Sequence, residues 1–174
     1  MIEKKMTAAQ ADNAQVKQLY ESAFPENERI PWNDLVRLID EMQLDFTTYE
    51  DYNQLVGFTI VYPSSKINWF WYFAVTEELR GQGIGQQILT LLIQKYEGKS
   101  IVLDMESPYQ TPCPNPEQRR RRQQFYLRNG FRDTNLFKSY EDIEMTMMII
   151  GSESFSMSDW DTITSELRQH WSWD

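Results

Sequence analysis

Along the first half of the chain the spacing of apolar residues changes period twice. From Asp12 or Asn13, either of which can cap a helix, Val16, Leu19, Tyr20 and Ala23 recur at helical spacing. "FPENERIP" breaks the pattern with two prolines. Pro31 suits the first turn of a second helix, which carries Leu35, Leu38, Ile39 and Met42 on one face. β-Branched and aromatic residues then take over: "DFTTYE" and "LVGFTIVYP" read as strands joined by a hairpin turn at "DYNQ". "INWFWYFAV" is apolar on both faces, as a central buried strand should be. Ile84, Ile88, Leu91 and Leu92 restore the helical period to about Tyr96, and Gly98 stops it.

The second half continues in short elements. "SIVLDME" is another buried strand, and "SPYQTPCPNPE" is too rich in proline for regular structure. "EQRRRRQQFYLRN" reads as a helix closed by Gly130, followed by "FRDTNLF" and "DIEMTMMII" as the strands of a hairpin. With "IEKKMT" as a short first strand, the order is β-α-α-β-β-β-α-β-α-β-β. A last helix opens at Ser158 and places Trp160, Ile163, Leu167 and Trp171 on one face. This is an α/β (α+β) chain built round one mixed sheet. Residues 1–150 form the domain, and 151–174 form a helical extension packed on it.

Composition narrows the chemistry. The 174 residues include one cysteine, Cys113, and one histidine, His170. Intramolecular disulfides are thereby excluded, and Cys/His zinc sites and histidine-dependent nucleophiles are disfavoured, so no metal is expected. Acid–base work falls to carboxylates, tyrosine, lysine or water. No apolar run is long enough for a membrane span, and "MIEKKMTAAQ" lacks the apolar core of a signal peptide. A cytoplasmic protein with no membrane partner is the expectation. The net charge of −9 favours cationic partners over nucleic-acid backbones, although simple solubility is the weightier account of the charge taken alone.

The stretch "FAVTEELRGQGIGQQIL" concentrates the chemical signal. Gly81, Gly83 and Gly85 lie between the apolar strand and a helix start, with Arg80 immediately before them. The first N–H groups of a helix have no internal acceptor and sit at the positive end of its dipole. Glycines let an anion, and a diphosphate above all, approach them closely. Gln86 breaks the dinucleotide pattern G-x-G-x-x-G, and no Gly-Lys-Ser/Thr follows for a Walker loop.

Arg80-Gly81-Gln82-Gly83-Ile84-Gly85 resembles the R-x-x-G-x-G pyrophosphate loop of the GNAT superfamily of acetyl-coenzyme A-dependent N-acetyltransferases. "FYLRNGF", residues 125 to 131, is similar to that family's second motif. The likeness covers roughly residues 2–150. It implies a mostly antiparallel sheet flanked by helices and acetyl-CoA as co-substrate. Arg80, Gly81, Gln82, Gly83, Gly85 and Gln86 would then lie at the pyrophosphate. Phe73 and Val75 would offer main-chain hydrogen bonds to pantetheine, and Asn129 is either a coenzyme contact or a helix cap. Tyr126 is placed as proton donor to the departing thiolate, the plain alternative being a packed aromatic beside Phe125.

The acceptor side rests on carboxylates. Asp104 and Glu106 share one face of "VLDME", and Glu106 is the candidate base or amine anchor, unless it is a rim carboxylate in solvent. Asp104, Glu26 and Glu28 are candidates for gripping a cationic small-molecule or peptide amine. Arg119 to Arg122 read as a solvated face, a contact to the coenzyme's 3′-phosphate, or a nucleic-acid contact that the net charge disfavours. The tail tryptophans Trp160, Trp171 and Trp173 either cover the acceptor cleft or form a homodimer contact. Two functions stay open: an N-acetyltransferase working by direct attack of the amine, and a catalytically inactive acyl-CoA-binding module.

Overall fold

The computed structural model describes residues 1–10 and 13–172, so Asp12 and Trp173 lie outside the described residues. The elements are β1 (Ile2–Lys5), α1 (Ala14–Ala23), α2 (Trp32–Glu41), β2 (Asp45–Asp51), β3 (Gln54–Pro63) and β4 (Asn68–Val75). They continue with α3 (Ile84–Lys95), β5 (Ile101–Glu106), α4 (Pro116–Arg128), β6 (Arg132–Tyr140), β7 (Ile143–Ile150) and α5 (Met157–Arg168). That is the order of elements expected from the apolar pattern. The seven strands form one sheet ordered β1-β2-β3-β4-β5-β7-β6. Every pairing is antiparallel except β4 with β5.

Local chemistry sets most of the element ends. Asn13 caps α1, its side-chain oxygen accepting from the N–H groups of Gln15 at 3.1 Å and Val16 at 3.4 Å. Tyr52 and Asn53 both take positive φ, which the tight β2–β3 hairpin requires. Pro31 stands at the N-cap of α2, one position before the first turn expected for it, because Trp32 is the first helical residue. Ser158 does not open α5. Ser156 does, in a capping box in which its hydroxyl accepts from the Asp159 N–H and the Asp159 carboxylate accepts from the Ser156 N–H.

The sheet is covered on both faces. Leu19, Tyr20, Leu35, Leu38 and Ile39 of α1 and α2 pack against Phe46, Phe58, Ile60 and Tyr72. On the other face, Leu89 and Leu92 of α3 and Tyr126 of α4 pack against Phe70, Leu103, Met105 and Met148. Trp160 and Ile163 of α5 join Trp69, Val102, Met147 and Ile149 on the α1–α2 side. The tail is further tied to the sheet and to α2: Tyr62 donates to Glu166, Arg37 donates to the His170 carbonyl and Trp171 donates to Asp34. Among the described residues no helix is long and apolar enough to cross a membrane.

The sheet opens between β4 and β5. The parallel β4–β5 ladder lasts for two residue pairs, Asn68 with Ile101 and Trp69 with Val102, after which the strands part. A register shift in β4 between the partners of Ile60 and Val61 leaves Trp71 as an extra residue there. Such a bulge bends the strand and sharpens its twist. The result is a cleft at the centre of the sheet, between Phe70–Val75 and Leu103–Glu106.

Candidate active site

The glycine loop closes one end of this cleft. Gly83 is the N-cap of α3 and, like Gly81, has a positive φ that side chains seldom adopt. The first bond into the helix runs from Gln87 N–H to the Gly83 carbonyl. Among the described residues, the N–H groups of Gly81, Gly83, Ile84, Gly85 and Gln86 have no acceptor. They form a row of donors at the positive end of α3, which suits a bridging anion. Gly85 differs: a Cβ there would touch Phe73, Val75 and Phe125 at ordinary distances of 3.7–3.9 Å. Arg80 is exposed and its Nε donates to the Val75 carbonyl at 3.2 Å, bracing the loop on the end of β4.

On β4, Thr76 N–H bonds to the Val56 carbonyl of β3. Alternation along an antiparallel strand then turns the polar groups of Val75 and Phe73 to the opposite edge, which faces the opened cleft. Across from them, α4 supplies Phe125 and Tyr126. The Phe125 ring stacks on Phe73 with centroids 6.4 Å apart. Tyr126 is buried against Phe131 and its hydroxyl has no hydrogen-bond partner among the described residues. Burial pushes its phenol up to about 12, with Arg122 pulling it down and Asp104 adding to the rise. Gln86 and Asn129 exchange reciprocal amide hydrogen bonds, and Asn129 also donates to the Phe125 carbonyl at 2.7 Å. This pair ties the first turn of α3 to the end of α4.

The opposite side of the cleft is ionic. Arg119, at 2% exposure, is held by Asn115 at 2.7 Å, Gln110 at 2.8 Å, the Ser107 carbonyl at 3.2 Å and Glu106 at 3.2 Å. Arg122 lies 3.9 Å from the second oxygen of Glu106. Asp104 is partly buried and accepts from Trp69 Nε1 at 2.9 Å. Burial pushes its carboxyl above the usual range, and the Trp69 hydrogen bond offsets part of the rise. The α1–α2 loop reaches over this face. Tyr20 donates to the Ile30 carbonyl at 2.8 Å, and Ile30 N–H donates to the Tyr72 hydroxyl at 3.3 Å. Glu28 on that loop is raised by partial burial and then by the charge of Glu106, with Arg122 and Arg119 opposing.

A model of the acetyltransferase (GNAT) domain matches residues 43–133, which contain the glycine loop, both cleft strands and Tyr126. The chain belongs to the GNAT acetyltransferase family. Several solved structures share the fold. A protein from Bacteroides thetaiotaomicron assigned to the GNAT acetyltransferases has 22% identity and a TM-score of 0.78, with 97% of each chain covered. An aminoglycoside 6′-N-acetyltransferase solved with coenzyme A has 16% identity and a TM-score of 0.67, covering 88% of this chain and 100% of that one. A Corynebacterium glutamicum protein described as a histone acetyltransferase and related acetyltransferase has 18% identity and a TM-score of 0.62, covering 90% and 99%. Comparison with curated proteins gives no match.

Within this GNAT frame the structure gathers Phe73, Val75, Gly81, Gly83, Gly85 and Gln86 at the β4–α3 side of the cleft, with Tyr126 and Asn129 of α4 facing them. Asp104, Glu106 and Glu28 lie on the other. Glu26 is exposed and makes no side-chain hydrogen bond or ion pair among the described residues. Gln82 is exposed, its amide donating to the Glu78 carbonyl at 2.7 Å. The arginine run is not one solvated face. Arg119 is buried, Arg122 reaches Glu106, and Arg120, Arg121 and Arg128 line a shallow depression on the outer side of α4. Helical rotation of about 100° per residue separates these neighbours, and nothing local marks which one turns inward. The sequence does not disclose the partners of the two β5 carboxylates: Trp69 for Asp104, and Arg119 and Asn115 for Glu106. Glu106, an acidic residue ending an apolar strand, was the one signal that pointed to a buried cation.

Proposed function

We propose that this chain is an N-acetyltransferase that moves an acetyl group from acetyl-CoA to a primary amine by direct attack. The observation that carries the proposal is the set of unpaired N–H donors of Gly81, Gly83, Ile84, Gly85 and Gln86, opening into a cleft edged by the polar groups that Phe73 and Val75 turn away from β3. Those donors fit a diphosphate, and the β4 edge fits the amide-bearing arm that follows it. The relative solved with coenzyme A supports the same co-substrate.

The transfer forms a C–N bond and breaks a C–S bond. The acceptor nitrogen passes one proton to solvent water before it attacks and a second as the amide forms, while the departing thiolate takes a proton from the protein that water then replaces. Main-chain N–H groups at the β4 bulge are the donors for the developing oxyanion, since the parting of β5 leaves that edge unpaired. Tyr126 supplies the thiolate's proton. A phenol raised to about 12 keeps its proton through neutral pH, and Arg122 favours the phenolate as charge builds. We assign Glu106 to holding Arg119 and the start of α4, since two guanidinium groups and Asn115 already occupy its oxygens.

Calorimetric titration with acetyl-CoA tests the reading, with 3′-dephospho-CoA for comparison. Micromolar binding, about −8 kcal/mol, is expected. Absence of binding at millimolar ligand overturns the proposal. Loss of affinity only without the 3′-phosphate places an arginine of α4 at that group.

A further inference from the structure

The two β5 carboxylates facing the cleft differ in their surroundings. Glu106 is compensated by Arg119 at 3.2 Å and Arg122 at 3.9 Å, and receives Asn115 Nδ2 at 3.1 Å. Asp104, two residues earlier on the same face, has no cation within ion-pair distance among the described residues. Its partners are Trp69 Nε1 at 2.9 Å and its own backbone N–H. A carboxylate withdrawn from water without a counter-ion is costly to maintain. In a cleft, such a group is a candidate to meet a charge that arrives with the substrate.

The walls around Asp104 are aromatic. Trp69 stacks on Trp71 with centroids 4.5 Å apart and planes 23° apart, and Trp71 stacks on Tyr72 at 5.1 Å and 25°. Trp160 stands edge-on to Trp69 at 5.3 Å. Trp71 is only partly buried and packs against both the α1–α2 core and the α5 core, so its ring lies at the seam between them. Aromatic faces attract a cation and also pack an apolar body. Glu106 and Glu28 on the same wall both lie in the field of Arg119 and Arg122, so neither is open to a second positive charge.

We propose, on the acetyltransferase reading, that Asp104, backed by Trp69 and Trp71, receives the acceptor's amine as an ammonium and positions it until it loses a proton to water and attacks. The acceptor is accordingly a monocationic primary amine with an apolar body, not a polycation. The net charge of −9 draws polycations to the surface at large. Inside the cleft the rule differs, because Glu106 and Glu28 already answer to the two arginines of α4 and Asp104 does not.

The test uses the full-length protein and Asp104→Asn, whose amide oxygen still accepts the Trp69 N–H. Acetyl-CoA affinity is measured first by calorimetry. Thiol release is then followed with phenethylamine and hexylamine, and with spermidine and kanamycin. The wild type is expected to favour the monoamines at least tenfold in kcat/KM. Asp104→Asn is expected to raise KM for the monoamines on the order of 100-fold, as loss of a charge-assisted contact entails. Its acetyl-CoA affinity should stay as in the wild type, and its thermal midpoint should equal or exceed the wild type's, since a buried charge is removed. Three results overturn the inference while leaving coenzyme binding intact: an unchanged KM in Asp104→Asn, a preference for the polycations, or no turnover of either monoamine. Failure of the wild type to bind acetyl-CoA instead removes the acetyltransferase reading, and this inference with it.

Discussion

Replacing Gly57 by alanine adds one methyl group to β3, and two opposing effects decide the outcome. Gly57 does not have a left-handed φ, so alanine fits its backbone and removes freedom from the unfolded chain, a gain of about 0.4–1 kcal/mol. The new Cβ, however, would lie 2.5 Å from the Ala74 carbonyl oxygen and 2.8 Å from Ile88 Cδ1. The isoleucine can rotate aside, whereas the carbonyl belongs to the central strand. Overpacking of this kind costs about 1–3 kcal/mol, and a backbone obstacle belongs at the upper end. The clash therefore wins, by roughly 1–2 kcal/mol. For a domain of this size that lowers the thermal midpoint by roughly 2–8 °C. Because Ala74 lies between Phe73 and Val75, the displaced strand should also weaken acetyl-CoA binding, by about tenfold. Scanning calorimetry and titration read the two effects separately. Gly98→Ala is the control: its φ of +77° makes alanine strained, but nothing lies within 4 Å, so stability should fall with coenzyme affinity intact. A Gly57→Ala protein as stable as the wild type would refute the steric reasoning. A destabilised one with normal affinity would refute the link between Ala74 and the coenzyme edge.

Other outcomes follow from the same geometry. Tyr126→Phe should reduce kcat at least tenfold with acetyl-CoA affinity unchanged, and should cost little stability because the hydroxyl has no partner to lose; unaltered turnover removes Tyr126 as the acid. Burial pushes Tyr49, Tyr72 and Tyr126 each from 10.0 up to about 12. Their neutral forms therefore support the fold fully below pH 10, and that support is lost as pH rises through 12. Chemical denaturation followed at stepped alkaline pH should show stability falling in that window; a stability unchanged through pH 12 would contradict the burial. Trp160→Ala empties a site with 1% exposure beneath α5 and should cost about 3–5 kcal/mol in urea titrations. A loss below about 1 kcal/mol would mean that the tail contributes little to the core.

The sequence by itself determined what depends on neighbours along the chain. Apolar period separates α1 from β2, because a helix and a strand repeat their faces at different intervals. The capping side chain of Asn13 and the positive φ at Gly83 likewise act within a few residues, so their roles are legible locally. The glycine spacing marked where an anion can approach before any tertiary contact was known. Tertiary structure decided the rest, because it brings together residues whose separation along the chain carries no signal. Trp69 reaches Asp104 across 35 positions, and Arg119 reaches Glu106 across 13. No local pattern says that one of two carboxylates on β5 is neutralised and the other left free. That difference follows from where α4 turns Arg119 inward, and from how soon β5 parts from β4.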